Sequence, residues 1–216
     1  MEPDAVEIRV VACLVEKQRT TPDQYPLTLN ALRLACNQST NRDPVVDYDD
    51  STIRSALDRL GRRKWTTLAS WSTARSVKYK HVFDTALGLS DAQLALLCVL
   101  MLRGPQTSGE LRQRSERMHR FESGDEVERT LEELVERELA VALPRRPGER
   151  GQRFAHRLAE EEEEEEESEA PSAPPAEAPA PAAPPPDGLA LRLERLETEV
   201  AGLRRQIADL RDELGA

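Results

Sequence analysis

Side chains able to do covalent chemistry are few and scattered in this chain. The three histidines, His81, His119 and His156, are too far apart to meet as ligands of one zinc on a single element. Cys13, Cys36 and Cys98 form no CxxC pair and lie inside apolar helical patterns, which makes them small core residues of a reducing compartment. No phosphate loop, dinucleotide fingerprint or nucleophile elbow occurs. The plentiful carboxylates are spaced as solvated helix faces. No enzyme, metal or cofactor is therefore expected. Two groupings remain. One is a set of cations suited to phosphates: Arg54, Arg59, Arg62, Arg63, Arg75 and Lys78, then Arg145, Arg146 and Arg150. The other is the polar stretch TTPDQYPLTLNALRLACNQSTNRDPV at 20–45, with Asn37, Gln38, Asn41 and Arg42 around a short apolar run.

Stepping outward to the elements, residues 5–86 open with AVEIRVVACLVEK, whose Val6, Val10, Cys13 and Leu14 predict one apolar helical face. A second helix is predicted over Leu29–Cys36, with Thr28 as N-cap and Asn37 in the left-handed closing position. A third follows Asp49–Asp50. It turns Ile53, Ala56, Leu57 and Leu60 inward and Ser51, Arg54, Ser55, Asp58, Arg59 and Arg62 outward. WTTLASW and SVKYKHVF then change period and read as a hairpin. Residues 89–158 repeat that order. Ser90 caps SDAQLALLCVLMLRG, TSGELRQRSERM is the second helix, and Ser123 caps a third with Val127, Leu131, Leu134 and Leu139 inside. AVALP and QRFAHRL form the second hairpin. Helix, helix, helix, hairpin, twice over, predicts a mainly α (α+β) chain of two tandem winged helices.

The two repeats differ in charge. The first places Arg54, Arg59, Arg62, Arg63 and Lys64 on its third helix and helix end, and Arg75, Lys78 and Lys80 on its wing. The second puts Asp125, Glu126, Glu128, Glu132, Glu133, Glu136 and Glu138 against Arg129 and Arg137 on the equivalent helix, which a duplex would repel. Its wing is basic, with Arg145, Arg146, Arg150, Arg153 and Arg157. Repeat one is thus expected to dock its third helix on DNA and repeat two to add at most a wing. A competing reading of Arg62, Arg63 and Lys64 is a favourable cluster on the helix dipole.

Net charge comes from one segment. Residues 1–159 carry 25 basic and 23 acidic side chains, whereas 160–187 carry no base and 11 acids. Eight consecutive glutamates and a Pro/Ala run predict a disordered linker over 159–187. Residues 188–215 predict a parallel coiled coil, with Leu189, Leu196, Leu203 and Leu210 at d and Leu193, Val200, Ile207 and Leu214 at a. The acidic N-terminus lacks the plan of a secretion signal, and the longest apolar run is too short to span a bilayer. A soluble, cytoplasmic homodimer is expected, without membrane contact.

Three blocks carry a family resemblance: EKQRTTPDQYPLTLNALRLACNQSTNRDPV, RGPQTSGELRQRSERMHRF and LPRRPGERGQRFAHRL. They closely resemble the YceH-like bacterial proteins over about residues 5–158. That resemblance implies two winged-helix domains and no settled role. Where the family turns after the third helix with a Gly-Leu-Val-like step, this chain has RRKWTTL. The tail after 158 lies outside the resemblance.

The expected function is non-enzymatic DNA binding and transcription regulation, with duplex DNA and a second copy of the chain as partners. The alternative is a winged-helix adaptor that docks another protein on the acidic third helix of repeat two. For Asn37, Gln38, Asn41 and Arg42, two roles stay open: holding the corner between helices two and three, or reaching a phosphate beside it.

Overall fold

The computed structural model describes residues 2–69, 76–145 and 151–159. The linker and heptad predictions therefore fall outside the described residues, as do Arg75, Arg146 and Arg150. Residues 1–165 form one compact unit. Its first half runs α1 (Ala5–Thr20), a 3₁₀ turn (Pro22–Gln24), β1 (Leu27–Thr28), α2 (Leu29–Cys36), α3 (Asp50–Arg62), β2 (Thr66–Ala69), β3 (Lys78–His81) and α4 (Phe83–Leu87). Its second runs α5 (Asp91–Arg103), β4 (Gln106–Thr107), α6 (Ser108–Ser115), α7 (Gly124–Glu136), β5 (Ala140–Ala142) and β6 (Arg153–His156).

The described residues are thus mainly helical with two small antiparallel sheets, ordered β1-β3-β2 and β4-β6-β5. Each predicted hairpin gains a third strand of two residues from the stretch preceding the second helix. Leu27 lies opposite Tyr79, and Gln106 opposite Phe154. Sequence reasoning missed β1 and β4 because two residues show no alternation. It also ran the first wing through Val82 and Phe83, where α4 begins and Phe83 is fully buried against the edge of Trp65, ring centroids 4.8 Å apart.

Helix starts follow side-chain chemistry. The Asp4 carboxylate accepts from the Glu7 N–H at 2.8 Å while Glu7 accepts from the Asp4 N–H at 3.2 Å, closing a capping box at α1. Thr28, Asp49, Ser90 and Ser123 accept from the third residue of α2, α3, α5 and α7. Both third helices also end alike. Lys64 N–H donates to Gly61 O and Trp65 N–H to Leu60 O, each at 3.0 Å. In the second half Glu138 N–H donates to Val135 O at 3.0 Å and Leu139 N–H to Leu134 O at 2.9 Å. This closure requires a left-handed residue, and Lys64 (φ 59°) and Glu138 (φ 57°) supply it.

Two helices form the centre. Every α1 residue from Glu7 to Val15 is buried, and every α5 residue from Gln93 to Leu102. A single apolar face was expected for α1, but α2, α3 and α5 surround it, so the helix has no solvent side there. One apolar cluster joins Leu14, Leu32, Ile53 and Leu60 of the first half to Leu94, Leu97 and Met101 of α5. A second gathers Leu100, Leu111, Val127, Leu131 and Leu134. The repeats predicted at 5–86 and 89–158 therefore share a core across their junction. Cys13, Cys36 and Cys98 are free and buried in it. Among the described residues no helix is long and apolar enough to cross a membrane.

Candidate nucleic-acid interface

The outer face of α3 is the natural starting point. Ile53, Ala56, Leu57 and Leu60 are buried as the periodicity requires, which turns Ser51, Arg54, Ser55, Asp58 and Arg62 to solvent. Arg59 departs from the outward prediction. Its guanidinium meets Asp4 at 2.6 Å and the buried Glu7 at 3.1 Å, and is about two-thirds buried. Arg63 donates to the other Glu7 oxygen at 3.1 Å and lies over the Trp65 ring, 5.8 Å from its centroid. Both arginines clamp the end of α3 to the start of α1. The reason is electrostatic: a carboxylate as buried as Glu7 must be paired.

With Arg59 and Arg63 committed, Arg54, Arg62, Lys64 and Lys80 are exposed and Lys78 half-buried, each without a side-chain partner among the described residues. Lys78 faces Thr28 across one ladder and Ala69 across the other, so β1, β2 and β3 fix it at the start of β3. In the second half, Asp125, Glu128, Glu132, Glu133 and Glu136 of α7 are exposed, and Arg145 is exposed after β5. Arg153 is turned inward and donates to Pro105 O at 3.1 Å, while Arg157 pairs with Glu138 at 3.6 Å.

Sequence reasoning passed over a further basic strip on α6 and the turn after it. Arg112, Arg114, Arg117 and Arg120 are exposed there, beside a cleft of about 700 Å³ between Gly109 and Glu122. Arg114 is neutralised by Glu110 at 3.3 Å, and Arg112 donates to the Glu122 carbonyl at 3.3 Å. The recurrence of arginine in RQRSERMHR carried that signal.

The polar corner resolves into architecture. The Arg42 side chain is wholly buried. It donates to Glu16 at 3.1 and 2.6 Å, to Ala35 O at 3.1 and 3.0 Å, to Asn41 O at 2.8 Å and to Gln38 Oε1 at 2.8 Å. Burial alone would raise the Glu16 pKa, but the hydrogen bonds and charge of Arg42 outweigh it and hold the carboxyl below its ordinary value. Asn37 does not take the predicted left-handed position (φ −89°). Instead its amide donates to Tyr48 O at 2.9 Å and accepts from Tyr48 N–H at 3.0 Å, tying the chain before α3 to the end of α2. The left-handed residue is Asn41 (φ 61°), whose side chain accepts from Arg103 of α5. Arg9 completes the corner from α1, donating to Pro44 O at 2.8 Å and Asp43 O at 3.2 Å. These contacts tie α1, α2 and the approach to α3 together.

No group of three metal-ligating side chains comes together among the described residues. His81 and His156 stand at matching ends of β3 and β6, both with a buried Nδ1 that lacks a hydrogen bond there. His81 Nε2 meets Gln18 Oε1 at 2.5 Å. Burial is the main cause that lowers its pKa to about 4, with Arg19 adding to it against Asp84.

Comparison with known proteins supplies the family. Residues 4–149 match the family described as "Protein of unknown function, DUF480". A UPF0502 protein of Shewanella sp. (strain MR-4) is 43% identical over 223 residues, covering 99% of this chain and 96% of the relative. One from Geobacter sulfurreducens is 45% identical over 207 residues, covering 95% and 88%, and one from Shewanella amazonensis is 49% identical over 163 residues, covering 73% and 78%. The first of these alignments runs past residue 158, so the likeness reaches into the tail that the quoted motifs left out. The YceH-like resemblance is this same family, and the chain belongs to the DUF480/UPF0502 family of bacterial proteins.

Proposed function

We propose that this chain is a non-enzymatic DNA-binding regulator in which each half is a winged helix and the C-terminal heptads pair two copies. The helix order and the three-stranded sheets support the fold reading, since a helix-turn-helix with a β-ribbon has this arrangement. The observation that carries the function is the unneutralised charge around α3. Arg54, Arg62, Lys64, Lys78 and Lys80 have no carboxylate partner among the described residues, although Arg59 and Arg63 beside them do. A surface that leaves five cations unpaired suits phosphates, whose counterions they displace. Arg54, Ser55 and Asp58 lie on the side of α3 away from the core, where a recognition helix carries its base contacts. Arg59 and Arg63 hold α3 in place instead.

Fluorescence anisotropy with a labelled duplex of about 24 base pairs tests this. Arg54→Gln and Arg62→Gln are each expected to weaken binding roughly five- to tenfold near 0.1 M salt and to make the salt dependence shallower by about one unit. Unaltered binding in both would exclude α3 as the docking element.

A second reading, a protein-docking adaptor, is favoured by one feature, the acidic outer face of α7. Crosslinking from native cells separates them. A stoichiometric protein partner without nucleic acid supports the adaptor.

A further inference from the structure

Left-handed backbone is expensive for any residue with a Cβ, and helix ends that need it favour glycine. Asn41 is among the residue types that tolerate it, but Lys64 and Glu138 are not. These two occupy the same place in the two halves, one residue beyond the caps Arg63 and Arg137 of α3 and α7, inside closures with the same hydrogen-bond pattern. One carries a positive charge and the other a negative charge, in keeping with the helices they end. Lys64 is exposed, and neither a hydrogen bond nor an ion pair holds its side chain among the described residues. Its neighbours on either side are occupied: Arg63 by Glu7, and Trp65 by Phe83. Among the described residues no side chain pairs with the Lys64 ammonium, while the backbone beneath it would be better served by glycine. Glu138, equally strained, has Arg157 as a partner at 3.6 Å, so the unpaired charge of Lys64 beside an unneutralised helix face is what points to a contact outside the fold.

We propose that Lys64 is a phosphate-contact residue of the duplex interface, retained in a left-handed position at the junction of α3 and the first wing at a cost to stability. This rests on the DNA-binding reading. The aligned carbonyls at the end of α3 attract a nearby cation, so charge alone does not separate this from a purely structural lysine, and the test needs two readouts.

The test uses full-length protein, a random 24-base-pair duplex, and the variants Lys64→Gly and Lys64→Gln. Lys64→Gly is expected to raise the melting temperature by about 2–4 °C. It should also weaken duplex binding roughly five- to tenfold near 0.1 M salt, with a salt slope shallower by about 0.9. Lys64→Gln keeps a side chain in the strained position, so it should show the same binding loss without the thermal gain. Glu138→Gly should raise the melting temperature without weakening binding. If Lys64→Gly leaves affinity and slope unchanged while the parent protein binds, this inference falls and the α3 reading stands. If Lys64→Gly lowers the melting temperature, the strain argument is wrong. If the parent protein does not bind the duplex, both fall together.

Discussion

Replacing Arg42 by methionine is the sharpest perturbation of the corner that joins α1, α2 and the approach to α3. The substitution removes six hydrogen bonds and leaves the largely buried Glu16 carboxylate, the Ala35 carbonyl and Gln38 without their main donor. Breaking a buried pair from one side costs about 3–5 kcal/mol, mostly through the stranded charge. For a folded unit of this size that lowers the melting temperature by roughly 6–20 °C. Arg42→Lys should recover little, because one ammonium cannot address Glu16, Gln38 and two carbonyls together. A double Arg42→Met, Glu16→Leu variant should recover much of the loss, since the carboxylate is no longer stranded and Lys17, its other partner, keeps Gln38 as an acceptor at 3.4 Å. Urea unfolding at pH 7 followed by circular dichroism reads all three. If Arg42→Met unfolds within about 1 kcal/mol of the parent and instead loses duplex affinity, the corner is an interface and this reasoning fails.

Other predictions follow from the same contacts. His81 is kept neutral by burial, with a folded pKa of about 4 against about 6.5 unfolded, so its contribution is complete above pH 6.5 and is lost as pH falls through 4. About 3 kcal/mol of stability should disappear over that window, and His81→Gln should flatten that part of a stability–pH curve. Glu16, whose pKa is lowered, adds a second loss of the same sign at more acid pH. Replacing the eight glutamates at 160–167 by glutamine, which keeps the heptads, should tighten duplex binding if that tract competes with DNA; unchanged binding would dismiss the competition. Sedimentation should find full-length protein dimeric and residues 1–187 monomeric, and two monomers would dismiss the heptad pairing.

The sequence made some of this legible and hid the rest for identifiable reasons. The faces of α3, the Thr28, Ser90 and Ser123 caps and the hairpins were readable because they depend on neighbours within one turn or one strand. The pairing of Arg63 with Glu7 was not, since 56 residues separate them and an arginine on an outer helix position looks free. The same holds for Arg42 and Glu16, 26 residues apart. In α1, periodicity suggested one apolar face, but Glu7 and Arg9 are buried too because their charges find partners inside. Asn37 closes α2 with φ −89° and binds Tyr48, 11 residues away, a contact that local pattern does not reveal. Sequence showed where the charges were; only tertiary contacts showed which had been cancelled.

Binding of full-length protein to a random duplex, titrated from 50 to 300 mM salt, tests the central claim most directly. If Arg54, Arg62, Lys64, Lys78 and Lys80 all meet phosphates, the logarithm of affinity should fall against the logarithm of salt with a slope of about −4 to −5 for each protomer that docks. An affinity no better than millimolar at the lowest salt, or a slope near zero, would contradict the account.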